Sequence, residues 1–276
     1  MIAFRNGWQR GLILLRQSFT NGAELFAHLF WPLLMVGAAV ALRGRDFGGF
    51  SVGALAVPSI LGMNAALGMV SLSQQLTADR EDGTLLRAKA TPHGLPAYVL
   101  GTLLLVGGGL LVDLAVFLAP AALLVPGLVT GGAGTWLTVV ALLALAMVAT
   151  LPLGVVLGAA LGTARAQGLL TLPILALVGI SGIFYPLAAL PGWLQAIAQV
   201  FPFYWLGLGM RAALLPDTAV AVEIGDSWRH LETLGVLSAW AVAGLLLAPV
   251  VLRRMARRES GSLVAARRER ALQRVG

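Results

Sequence analysis

Six charged side chains, Asp79, Arg80, Glu81, Asp82, Arg87 and Lys89, crowd into residues 78–92, ADREDGTLLRAKATP, although charged residues make up only 11% of the chain. Their types suit noncovalent docking. Asp82-Gly83 is a chain breaker, Thr84 is placed to cap a short helix, and Thr91-Pro92 ends that helix after about seven residues. On such a peg Leu85 and Leu86 fill a groove on a partner, while Arg87 and Lys89 pair with the partner's acids. The alternative is a solvated turn whose charges only set orientation in a membrane.

Little else carries reactive chemistry. The only lysine, Lys89, lies between Ala88 and Ala90 and lacks the Gly-Lys-Ser/Thr frame that cradles a phosphate. Gly107-Gly108-Gly109 lacks that context too. Ser181, in ISGIF, has no Gly-x-Ser-x-Gly elbow around it and no His in a nearby span. Cysteine is absent, and His28, His93 and His230 are far apart in sequence, so neither a disulfide nor a metal site is expected. Asp113 and Asn64 stand inside apolar runs. A carboxylate there reads either as the lining of a pathway or as an acid bonded to a neighbouring helix. Interhelical hydrogen bonding suits Asn64.

The elements that position these groups are membrane spans. Hydrophobic residues are 58% of the chain and the mean hydropathy is +0.88, well above a soluble domain. The expected fold is all-α and polytopic, with six transmembrane helices near 25–42, 52–76, 98–125, 136–162, 169–185 and 231–252. Before them, Phe4, Trp8, Leu12, Leu15 and Phe19 recur at helical spacing over 1–20, which predicts an amphipathic helix in the membrane interface. Residues 186–210 hold no charge yet are cut by Pro186, Pro191 and Pro202. That stretch, with Trp193 on one helical face, is expected to form a re-entrant pair of short helices around Pro202, with Arg211 anchoring its outer end to headgroups or to Asp217. Gly154, Gly158 and Gly162 form a small-residue stripe for close helix packing, within the subunit in preference to between subunits.

Charge gives the orientation. Of the 19 Lys and Arg, only Arg43, Arg45, Arg211 and Arg229 fall in the loops opposite the charged island. The excess on the island's side marks it, and both termini, as cytoplasmic. The transmembrane domain is expected over 1–252, followed by a basic cytoplasmic tail, 253–276, resting on anionic lipid. No removable signal peptide and no nucleic-acid partner are expected.

Two stretches resemble one family. DREDGTLLRAKATP is similar to the loop between the second and third spans of type-2 ABC-transporter permeases, the membrane subunits of many bacterial drug, lipid and polysaccharide exporters. SGIFYPLAALPGWLQAIAQVFPFYWLGLGMRAAL is similar to their re-entrant segment between spans five and six. With the six-span layout, the likeness covers nearly the whole chain. It implies that Arg80, Glu81, Asp82, Gly83, Thr84, Leu85, Leu86, Arg87 and Lys89 form a coupling helix and its flanks, docking on a separate nucleotide-binding subunit. Two such subunits, holding ATP and Mg, would serve two permeases, either a pair of this chain or this chain with a sister permease. The chain itself would bind no cofactor and catalyse nothing. The expectation is outward transport of an amphipathic drug or lipid across the inner (plasma) membrane. A glycan exporter, a non-transporting assembly or sensor subunit, and an intramembrane lipid enzyme are the alternatives.

Overall fold

Long apolar runs become helices because hydrocarbon offers backbone N–H and C=O groups no other partners. The computed structural model describes residues 2–47, 49–130, 132–161, 163–183 and 187–258. Its helices are α1 (Ile2–Thr20), α2 (Gly22–Ala41), α3 (Val52–Glu81), α4 (Thr84–Lys89), α5 (Gly94–Leu124), α6 (Ala133–Ala160), α7 (Ala164–Gly179), α8 (Gly192–Val200), α9 (Pro202–Leu214) and α10 (His230–Arg258). Five of them, α2, α3, α5, α6 and α10, are long and apolar enough to cross a membrane. The fifth expected span falls on α7, which is apolar but only 16 residues long. Its expected end near Tyr185, like Pro186 and Gly162, lies outside the described residues. A two-residue hairpin, β1 (Asp46–Phe47) against β2 (Phe50–Ser51), occupies the turn between the first two spans.

Two helices overrun the boundaries expected from hydropathy. α3 continues past Leu76 to Glu81, because no breaker intervenes until Asp82 and Gly83. The first charges of the island therefore belong to a membrane helix. α10 continues past Leu252 to Arg258, so the start of the expected tail is helical, and the rest of it, 259–276, is outside the described residues.

α3 is the axis of the bundle. One face lies on α6, where a Cβ on Gly154 would come 2.5 Å from the Met69 carbonyl and one on Gly158 would come 2.9 Å from that of Ser73. Another face crosses α9 backbone to backbone, with a Cβ on Gly62 only 2.7 Å from the Gly207 nitrogen. α1 does not use its apolar arc for packing. Gly7 and Gly11 seat it against Ala97, Leu100, Gly101 and Leu104 of α5, while Phe4, Trp8 and Leu12 stay exposed. The seam runs the same way along both helices, reaching Leu15 against Gly108. At the α4 end, an apolar cluster of Leu72, Leu76, Leu85, Tyr98, Val155, Leu252 and Met255 joins α3, α4, α5, α6 and α10.

Candidate functional site

The peg at the end of α3 begins with a left-handed residue. Gly83 has φ +80°, a conformation that a Cβ makes costly, and it reverses the chain between α3 and α4. The cap differs from the one expected. Thr84 donates its backbone N–H to Asp82 Oδ1 at 2.7 Å, so Asp82 is the capping side chain. The Thr84 hydroxyl instead accepts from Arg87 Nη2 at 2.8 Å. At the far end the Thr91 hydroxyl donates to the Ala88 carbonyl at 2.9 Å.

Burial divides the nine expected docking residues. Leu85 is 1% exposed and lies in the protein's own cluster, with Ala88 beside it. It is not available to a partner, contrary to expectation, since α4 needs one apolar side to hold it to the bundle. Arg80 is also turned inward. Its Nη1 donates to the carbonyls of Gly158 at 3.3 Å and Leu161 at 3.1 Å, at the C-terminal end of α6 where backbone acceptors lack helical partners. Asp79 accepts from the Tyr98 hydroxyl at 2.7 Å and from Gln75 at 3.0 Å, and Arg10 of α1 lies over the Tyr98 ring at 5.0 Å. What α4 and its flanks present outward is Glu81, Asp82, Arg87 and Lys89, with Thr84 and Leu86 half-buried between them. A rigid elbow with a mixed-charge face and one partly open leucine can grip a complementary surface and transmit force into α3, α5, α6 and α10.

A second polar place lies within the bundle. His28 of α2 and Asp113 of α5 share a hydrogen bond between Nδ1 and Oδ1 at 2.5 Å, and the His28 ring lies 4.8 Å from that of Phe19. Both line a cleft of about 490 Å³ bounded by α1, α2, α3 and α5, which Asn64 also lines. The Asn64 amide donates to the Ile60 carbonyl at 2.9 Å and reaches Met35 Sδ of α2 at 3.6 Å. His28 had no role in the sequence reading. The signal available was a second lone ionisable group in an apolar run.

The proline-cut stretch forms two helices broken at Phe201-Pro202, with Pro191 preceding α8 and Pro202 opening α9. α9 is almost wholly buried, whereas Trp193 on α8 is 66% exposed. Arg211 binds neither headgroups nor Asp217. It forms a buried two-pronged pair with Glu223, Nε to Oε1 at 2.5 Å and Nη2 to Oε2 at 3.2 Å, and it also donates to Ser59 Oγ at 3.2 Å and the Gly182 carbonyl at 3.4 Å. Asp217 is exposed. The pair ties the loop between α9 and α10 to α9, α3 and the turn that follows α7.

Five membrane-length apolar helices, with an exposed charged elbow where α3 meets α5, make this a multi-pass membrane protein. The chain matches the family described as ABC-2 type transporter over residues 4–215, and it belongs to that family. It is thus the permease subunit of an ABC transporter, from a family that works with a separate ABC ATP-binding subunit. The matched region takes in α1 through α9 and stops before α10. A search of curated proteins finds no match.

Proposed function

We propose that this subunit is one half of the membrane pathway of an ATP-driven exporter in the inner membrane. In this reading α4 is the coupling helix, docked on a cytoplasmic nucleotide-binding subunit, and two permeases pair with two ATPases that hold ATP and Mg. α7 with its continuation is the sixth span, α8 and α9 form the re-entrant pair at the outer face, and both termini are cytoplasmic. The exposed arc of Phe4, Trp8 and Leu12 faces lipid beside the first half of α5. The solute moved outward is an amphipathic drug or lipid, the activity of a multidrug efflux or antibiotic-resistance system.

The observation that supports this reading best is the two-sided character of α4. Leu85 and Ala88 bind it to the ends of four spans, while Arg87, Lys89 and Leu86 stand on its outward side. A push on the outward side is carried by the buried side into the bundle as a unit, which is what a hinged switch between two packings requires.

The test uses the complex purified from native membranes and reconstituted into vesicles. The permease retains a Mg-dependent ATPase, and Leu86→Asp, which places a charge on the outward face without touching Leu85, weakens that association and lowers ATP-driven solute release at least tenfold. Normal ATPase retention and transport in Leu86→Asp sinks the coupling role. Gly83→Pro is a poor substitute, because proline cannot adopt φ +80° and the elbow itself would be disrupted.

A further inference from the structure

Resting on the reading of the chain as an exporter subunit, we propose that the cleft between α1, α2, α3 and α5 binds a cationic amphiphile, with Asp113 as the counter-ion of its charge. At about 490 Å³ the cleft falls within the range that encloses drug-sized molecules. Its ionisable lining is Glu24, His28 and Asp113, with no Lys or Arg among the described lining residues, in a chain whose net charge is +7. An anion entering here meets two carboxylates, and a cation meets two attractions.

The His28–Asp113 pair is not sealed in the manner of a purely structural bond. The two side chains remain 18% and 35% exposed. His28 engages Asp113 Oδ1 and fixes the carboxylate, while Oδ2 has no hydrogen-bond partner among the described residues. A lone carboxylate oxygen at this depth is costly unless water or a ligand meets it. The apolar body of the solute is accommodated by Leu67, Leu105 and Leu110, which share the cleft with Asn64 and Gln75.

The mouth lies where α1 turns into α2. Glu24 lies in the first turn of α2, exposed, with Asn21 Nδ2 at 3.4 Å as its neighbour, beside Gln17 and Ser18 in the last turns of α1. One helical turn further along α2 stands His28. A cation drawn to Glu24 therefore lies one turn, about 6 Å along α2, from His28, which holds the deeper carboxylate of Asp113.

The experiment needs no ATPase. The full chain in phosphatidylcholine nanodiscs is titrated with rhodamine 6G, a permanently cationic aromatic dye, and with neutral Nile red, and binding is read by fluorescence anisotropy. Rhodamine 6G binds saturably, Asp113→Asn weakens it about tenfold or more, and Asp113→Glu restores it. Glu24→Gln weakens it by about threefold, and Nile red is indifferent to all three changes. Absence of saturable rhodamine 6G binding, or equal affinity in the wild type and Asp113→Asn, overturns the site. Should Asp113→Asn lose both dyes, the cleft has collapsed and Glu24→Gln decides, because unchanged rhodamine 6G affinity in that surface variant also overturns the proposal. The two readings part company cleanly. Asp113-dependent dye binding without ATP-driven transport removes the exporter and leaves the site, whereas ATP-driven transport with dye binding indifferent to Asp113 does the reverse.

Discussion

Arg211 and Glu223 carry opposite charges at side-chain exposures of 6% and 4%, so each has left water almost completely. Such a pair adds little net stability relative to apolar side chains of similar size, yet removing one member strands the other, at a cost of about 3–5 kcal/mol. Arg211→Met is therefore expected to lower the unfolding midpoint of the purified protein strongly. Adding Glu223→Leu to it recovers most of the loss, and a double variant no more stable than Arg211→Met would show that the pair itself, not the stranded acid, supplies the stability. The position of Arg211 was readable as a motif residue, but its partner was not. Asp217 is also a carboxylate and nearer in sequence, and only the path of the 3₁₀ turns at Asp217–Val222 and Ile224–Asp226 sets Glu223 against the guanidinium. The same limit applied to Leu85 and Leu86. Adjacent leucines on a six-residue helix point about 100° apart, and too few residues flank them for periodicity to tell which one faces inward. His28 and Asp113 both stand out as ionisable groups in apolar runs, yet from sequence Asp113 has only an unnamed neighbouring helix for a partner and His28 has no role, because two groups 85 residues apart show no spacing that pairs them.

At the scale of elements, what hydropathy predicts is where a segment is apolar, and a helix ends for other reasons. α3 and α10 overran their expected limits by several residues because nothing in Gln74-Gln75-Leu76-Thr77 or Arg253-Arg254-Met255 breaks a helix, whereas Gly83 does. The small-residue stripe of α6 was equally legible as a packing surface, although its partner was not, since any neighbouring span could have used it. Gly154 and Gly158 of α6 pack against α3, and glycine at these positions sets the distance between the two axes. A valine at Gly158 meets the Ser73 carbonyl and Leu76, so Gly158→Val is expected to destabilise the protein by about 1–3 kcal/mol, read as a lowered midpoint in thermal denaturation. Gly37→Val on α2 has nothing within 4 Å of its new Cβ, and its midpoint should match the wild type. Equal loss in the two variants would mean that flexibility of glycine, not closeness of the helices, governs the effect. The α1 arc is expected to face the membrane, and Phe4, Trp8 and Leu12 do form one exposed face; the side that packs on the protein is Gly7 and Gly11, because a helix pressed against α5 gains more from close backbone approach than from bulky side chains.

For the whole molecule the question is how many times the chain crosses, and the α4 end answers part of it. Arg80 holds the last carbonyls of α6 at that end, and Leu252 and Met255 place the last turns of α10 there too, against Leu85 and Ala88. Between Leu161 and His230 the chain must therefore pass from the α4 end to the opposite one, since α10 has to begin there to return. α7 rises about 24 Å at 1.5 Å per residue, short of the roughly 30 Å of hydrocarbon, so α7 alone does not complete the passage. This geometry supports six crossings although, among the described residues, five helices have full membrane length, and the proposed orientation, with the α4 end in the cytoplasm, rests on the basic bias. The absence of cysteine makes the count directly measurable, because single cysteines can be introduced without background. Ala90, Arg257 and Thr218 are exposed, the first two at the α4 end and the third in the loop after α9. A membrane-impermeant maleimide is expected to label Ala90→Cys and Arg257→Cys only in inside-out vesicles and Thr218→Cys only in right-side-out ones. Labelling of Ala90→Cys and Arg257→Cys from opposite faces would reduce the count to an odd number. Labelling of Ala90→Cys from outside would place α4 beyond the reach of any cytoplasmic ATPase, and the coupling role would fall with the orientation.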